Sequence, residues 1–193
     1  MIKATKQDRD VAIDILVSAF KNYDIENSIN FVVKPDKWRV KRMRVLMGYL
    51  FDTSMLFGEV CFSDDKKACL MIKYSERVKT TPETIFLDLK LAFRCIGISR
   101  LGKVLNRQRV AKRHWVREKH VVPVILGVAE QAQGSGTGAR FMLDVNRHYK
   151  KNTLPAVLDT ASELNVQLYS KFGFRTYHMD ESLGFKLYFM RRD

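Results

Sequence analysis

Val121-Val122-Pro123-Val124-Ile125-Leu126-Gly127-Val128 runs directly into Ala129-Glu130-Gln131-Ala132-Gln133-Gly134-Ser135-Gly136-Thr137-Gly138-Ala139-Arg140, and the reading of this stretch decides the fold. The first part is β-branched and largely apolar, the pattern of a strand covered on both faces. The second part is a glycine loop, and Phe141, Val145 and Tyr149 after it have helical spacing. Strand, loop and helix therefore follow one another. Glycines let the chain turn sharply, and the N–H groups of a loop entering a helix N-terminus form a preorganised anion site. A phosphate or pyrophosphate is the guest such a site suits.

Known phosphate-loop patterns fit unequally. A Walker loop ends in Gly-Lys-Ser/Thr, whereas Gly138 is followed by Ala139 and Arg140. A Rossmann fingerprint is formally matched by Gly134, Gly136 and Ala139, with Asp159 placed downstream for a ribose contact. Against it, five residues separate Val128 from Gly134, where that turn follows its strand at once. Too little chain follows to build a doubly wound sheet.

Upstream, Ile2 to Thr5 reads as a short strand. Asp8 then caps a helix with Ala12, Ile15, Leu16, Ala19 and Phe20 on one face. Pro35 and Asp36 open a second helix carrying Met43, Leu46, Met47 and Leu50. Leu56 to Phe62 and Lys67 to Tyr74 flank Ser63-Asp64-Asp65-Lys66 and predict an antiparallel hairpin, pairing Phe62 with Lys67 and Cys61 with Ala68. In that register Cys61 and Cys69 point to opposite faces. Thr81 and Pro82 open a helix with Ile85, Phe86, Leu89, Ala92, Phe93 and Ile96 on one face. The segment from Ser99 to about Trp115 predicts a basic surface helix with a thin stripe of Leu101, Val104 and Leu105. A final strand is expected from Gly184 to Met190.

Composition bounds the rest. The chain has 193 residues, 46% hydrophobic and 28% charged, enough for one folded domain and unlike a disordered segment. No linker or repeat divides residues 1–193. The nearly apolar run from Val121 to Ala129 is far below the ~20 residues of a membrane span, and the N-terminus shows no apolar signal region. Cys61, Cys69 and Cys95 have neither metal-site nor disulfide-framework spacing. A cytoplasmic protein with free thiols, no metal and no membrane partner is the expectation. The net charge of +13 favours anionic partners, and it concentrates in Lys34 to Arg44 and in Lys90 to Lys119.

On the residues of its glycine loop the chain resembles the GNAT superfamily of acyl-CoA-dependent N-acyltransferases. Their motif Gln/Arg-x-x-Gly-x-Gly/Ala is met by Gln133, Gly136 and Gly138. A second stretch, from Pro155 to Phe174, looks like the superfamily's later strand and helix and ends in Tyr169-x-x-x-Gly173-Phe174. The resemblance implies an α/β domain with a mixed, mostly antiparallel sheet flanked by helices. A basic helical insertion at about 75–119 departs from the family pattern. It implies acetyl transfer from acetyl-CoA to a primary amine by direct attack in a ternary complex. The strand carrying Leu126 and Val128 would pair with pantetheine, and a backbone N–H near Val128 would hold the thioester oxygen. Gln133, Gly134, Ser135, Gly136, Thr137, Gly138 and Ala139 would take the pyrophosphate, Asn165 would contact the coenzyme, and Tyr169 would protonate the leaving thiolate. Spacing independently puts Asn165 and Tyr169 on one helical face, with Leu168 and Phe172 packing beneath and Gly173 ending the helix.

Amine attack needs a proton acceptor. His120 and Glu130, at the two ends of the central strand, are candidates, as is Glu59 on the hairpin. The basic insertion lies just before the coenzyme strand and is expected to cover the acceptor side, where it would attract an acceptor bearing carboxylates or phosphates. The reading of another class is a non-catalytic module that holds nucleic acid or a protein through the insertion, with Trp115 and His114 stacking between phosphate contacts. No sequence-specific nucleic-acid motif supports it. The acceptor's identity, small molecule or protein, and formation of a homodimer are left open by sequence.

Overall fold

The computed structural model describes residues 1–22, 28–150 and 153–193, residue 28 by its backbone alone. A seven-stranded sheet runs through the protein in the order β1-β2-β3-β4-β5-β7-β6. Its strands are β1 (Ile2–Lys3), β2 (Gly58–Phe62), β3 (Ala68–Tyr74), β4 (Val121–Val128), β5 (Ala156–Thr160), β6 (Arg175–Asp180) and β7 (Leu187–Arg192). Every neighbouring pair is antiparallel except β4 and β5. The expected mixed, mostly antiparallel sheet flanked by helices is the observed architecture.

On one face lie α1 (Arg9–Phe20), α2 (Ser28–Val32) and α3 (Arg39–Phe57), whose Leu16, Met43, Met47 and Phe51 pack on Val60, Phe62 and Met71. Gly127 is where α1 crosses β4, since a Cβ there would stand 2.7 Å from Leu16 Cδ2. The insertion is built from α4 (Pro82–Leu91), one π-helical turn at Ala92–Ile96, and α5 (Ile98–His114). The opposite face carries α6 (Thr137–His148) and α7 (Glu163–Lys171). Phe141 and Val145 of α6 pack on Leu70, Ile72 and Val121, while α7 covers Ala156, Leu158 and Met190.

Four local expectations change. The first helix begins one turn earlier in effect, because Thr5 and Asp8 form a capping box around a 3-10 turn, with Thr5 N–H donating to Asp8 Oδ2 at 2.9 Å. Leu56 and Phe57 belong to α3 and not to the hairpin. The hairpin register pairs Phe62 with Cys69 and Cys61 with Leu70. Ser63 causes this: its Oγ accepts from the N–H of Ala68 at 2.9 Å and of Lys67 at 3.1 Å, moving the loop one residue along. A shift of two in the pairing preserves faces, so Cys61 and Cys69 still point apart into different clusters.

The largest change concerns α4. Thr84, Leu87 and Leu91 face inward, and Cys95 and Ile96 continue that face through the π turn. Ile85, Phe86, Leu89 and Phe93, the expected inner face, are exposed. Both faces of this helix are apolar, so periodicity alone could not choose between them. α5 does lie on the surface, buried only at Val104, Val110 and Ala111. It reaches across the sheet from Val33, whose carbonyl accepts from Arg100 Nη1 at 2.7 Å, to Leu187 and Phe189 on β7. β6 had no sequence signal because five of its six side chains are exposed.

Candidate active site

β4 and β5 are paired at one position, Val121 with Ala156. Beyond it the two strands part, leaving the β5-facing edge of β4 open. The space between them is a groove of about 790 Å³, lined by Leu126 and Val128 of β4, Gly138, Ala139 and Met142 of α6, and Asn165, Leu168 and Tyr169 of α7. It passes through the sheet to the other face, where Phe20, Ile29, Val32, Leu46 and Leu50 line it.

The strand edge is modified near its centre. Met71 pairs with Ile125 and Ile72 with Pro123, so Val124 has no partner across the ladder. This bulge lies in the groove, four residues before the Val128 position at which the sequence reading placed a free N–H. Pro123 was the available signal: it lacks an N–H, and proline inside a central strand marks a bulge.

At the other end of β4 the glycine loop turns into α6. Gly136 is the N-cap, with φ +79°, and no side chain among the described residues caps the helix, which leaves the first N–H groups of α6 available to a ligand. Gln133 points back to the strand and donates from Nε2 to the carbonyl of Val128 at 3.0 Å. This bond ties the start of the loop to the end of β4. Ser135 Oγ bonds the Ala132 carbonyl at 2.7 Å and lies 2.9 Å from Thr137 Oγ1, which fixes the turn. Gly138 lets α6 approach β4, since a Cβ there would lie 3.1 Å from Val128 Cγ2.

On α7, Ser162 caps the first turn and Asn165 reaches Thr160 Oγ1 with its amide at 3.4 Å. The helix ends in a Schellman motif: Phe174 N–H bonds the Tyr169 carbonyl at 3.1 Å and Gly173 N–H bonds that of Ser170 at 3.0 Å. Tyr169 and Asn165 both border the groove. Phe172 packs inward as expected, but Leu168 is exposed at the rim, because α7 is a short surface helix with no fully buried residue.

The three base candidates stand elsewhere. Glu130 is exposed beyond the end of β4, paired with Lys21 at 2.8 Å and accepting from Asn22 at 2.8 Å; the hydrogen bond from Lys21 holds its carboxyl below the ordinary range. His120 is buried at the opposite end of the strand, with Nδ1 2.7 Å from the Glu118 carbonyl and Nε2 buried with no hydrogen-bond partner among the described residues. Its ring meets Trp115 edge-on. Glu59 sits among Lys3 at 2.7 Å, Tyr74 at 3.0 Å and Tyr149 at 3.1 Å. Burial pushes its pKa up, and these three partners together bring it below the usual value. None of the three candidates lines the groove, although Tyr149 does.

No residue of 75–119 is among those lining the groove. The insertion meets it indirectly, through an ion pair between Arg107 and the groove residue Asp159. At its end, His114 Nε2 lies 3.0 Å from Asp180 Oδ2 and the His114 ring stacks on that of His178, 4.1 Å apart and 21° from parallel. These three residues form a compact cluster of metal-ligand types. The contacts of His114 with Asp180 and His178 join α5 to β6.

No protein-family model matches the chain, and comparison with curated proteins finds no match. Solved structures do match over nearly the whole chain. One is an acetyltransferase of Corynebacterium glutamicum described as histone acetyltransferase HPA2 and related, at 16% identity and TM-score 0.66, covering 99% of this chain and 93% of that one. Another is the C-terminal condensation domain of Ebony in complex with beta-alanyl-dopamine, at 12% identity and TM-score 0.64, covering 99% and 96%. A third is arylalkylamine N-acetyltransferase 2 of Aedes aegypti, at 16% identity and TM-score 0.58, covering 99% and 96%. The chain has the GNAT fold.

Proposed function

We propose that this chain is an N-acetyltransferase that moves an acetyl group from acetyl-CoA to a primary amine by direct attack in a ternary complex. The observation that carries the reading is the parting of β4 from β5, which opens a groove leading from an unpaired strand edge to the uncapped N-terminus of α6. An extended amide-bearing chain suits the first, and a pyrophosphate suits the second. The coenzyme supplies an activated thioester.

The chain's own residues divide the remaining work. Peptide groups of β4 from the Val124 bulge to Val128 hold the pantetheine, and an N–H at the bulge faces the thioester oxygen as it gains charge. Gly134 to Ala139 hold the pyrophosphate, and Asn165 orients the coenzyme from α7. The amine nitrogen forms its bond to the acetyl carbon, the carbon–sulfur bond breaks, and Tyr169 gives its proton to the departing sulfur. The proton lost by the amine leaves through solvent.

The acceptor end favours an alkyl or aryl amine, because Phe20, Ile29, Val32, Leu46 and Leu50 line it. This replaces the acidic acceptor suggested by the basic insertion, which supplies none of the described lining. The test is release of CoA thiol from acetyl-CoA with phenethylamine, a polyamine and an acidic peptide as acceptors. Turnover that is fastest with phenethylamine supports the reading. Release with none of them, together with no thermal stabilisation by acetyl-CoA, overturns it.

A further inference from the structure

The exposed apolar face of α4 has a setting that sequence order conceals. Phe86, Phe93 and Ile98 are 67%, 62% and 73% exposed, and Leu89 lies between the first two on the same helical face. The π turn and Gly97 bring this stripe to a tip against the segment that leads into α3. There Lys34 N–H bonds the Cys95 carbonyl at 3.3 Å, and Arg42 Nη1 bonds the Arg94 carbonyl at 3.1 Å. Two basic clusters far apart in the chain therefore meet around one apolar tip. Exposed Trp38 joins them, with Lys41 Nζ 4.4 Å and Lys37 Nζ 5.4 Å from its ring centroid.

The acids nearby are few and partly engaged. Asp36 takes a paired contact from Arg42 and lies 3.7 Å from Lys34 Nζ, Asp88 accepts from Tyr49 at 2.8 Å, Asp10 and Asp52 share the cleft beside Lys90 and Arg94 with Asp52 paired to Arg9, and Glu83 stands at the far end of α4. No acid occurs between Asp88 and Glu118.

We propose that this face docks on an anionic lipid surface, with Phe86, Leu89, Phe93 and Ile98 entering the boundary between headgroups and acyl chains and Lys34, Lys37, Lys41, Lys90 and Arg94 at the level of the lipid phosphates. Charge complementarity selects this occupant. A second copy would bring like charges together, and a nucleic acid would leave the aliphatic side chains without apolar partners. The expectation of no membrane partner rested on the lack of a spanning segment. No described helix is long and apolar enough to cross a membrane, but lying on one requires only such a face.

The test is flotation of the full chain with phosphatidylcholine vesicles, with and without phosphatidylserine, at low and high salt. Binding is expected only with phosphatidylserine and is weakened by salt. Phe93→Glu/Ile98→Glu and Lys37→Glu/Lys41→Glu should each reduce it about tenfold or more, with melting temperatures unchanged because these side chains are exposed. Lys112→Glu/Arg113→Glu, farther along α5, should leave it within about twofold. Absence of binding at low salt, or equal loss in the Lys112/Arg113 variant, overturns the proposal. So does a dimer that Ile98→Glu dissociates, or an oligonucleotide complex indifferent to Phe93→Glu.

Discussion

Tyr169 and Phe174 are held against each other, ring centroids 6.0 Å apart and planes at 54°, by the Schellman turn whose 3.1 Å hydrogen bond joins their own backbones. The Tyr-x-x-x-Gly-Phe pattern is thus a device that ends α7 and fixes the tyrosine ring at the groove. Removing only the hydroxyl keeps that packing. Tyr169→Phe should lower kcat by about 10²-fold or more while the melting temperature and the KM for acetyl-CoA change little. Phe174→Ala should instead cost about 3 kcal/mol of stability, read from urea unfolding, because Phe174 is buried with Ala156, Leu158 and Met190.

The turn into α6 depends on Gly136, whose φ of +79° suits no β-branched residue. Acetyl-CoA at about 100 times its Kd should stabilise the native chain by about 2.7 kcal/mol. Gly136→Val should abolish most of that thermal shift, measured against the variant's own unliganded melting temperature, which the strain of about 1–2 kcal/mol should lower by several degrees. An undiminished shift in the variant would place the coenzyme elsewhere.

Glu130 and His120 bracket β4 without reaching the groove, the first tied to Lys21 and the second buried. Glu130→Gln and His120→Asn should therefore keep the wild-type pH profile of acetyl transfer. Loss of the acidic limb of kcat/KM in either variant would restore that residue as the base.

Lys73 lies between α3 and α4, its Nζ 5.8 Å from the Tyr49 ring centroid, and burial lowers its pKa to about 8 against a partial opposing pull from Asp88. In the unfolded chain the value is about 10.4, so between these two limits the unfolded state binds more protons and stability rises with pH. Below pH 8 the full cost of the buried charge is present. Lys73→Met should stabilise the protein at pH 7 by up to about 3 kcal/mol, and the gain should fade toward pH 10. Urea unfolding across that range measures it; a pH-independent gain would mean packing rather than charge.

Much of the site could be read locally. Val121–Val128, the glycine loop and the Asn165–Tyr169 face each depend on residues close in sequence, where strand alternation, helical period and turn chemistry act. What failed had a different origin. Ser63 changed the hairpin loop by a side-chain bond, and α4 had two apolar faces between which only packing chooses. β6 pairs at a sheet edge with its side chains exposed and so carries no pattern to find.

By itself the sequence determined the order of strand, loop and helix and the residues proposed to hold a phosphate, because backbone freedom and helix-end N–H groups are properties of a few adjacent residues. Only the tertiary structure decided that β4 and β5 part after Val121 and Ala156, that the insertion stays off the groove, and that two basic clusters meet at the α4 tip. These are relations between segments far apart in the chain, set by which faces bury together, and no local pattern encodes the choice.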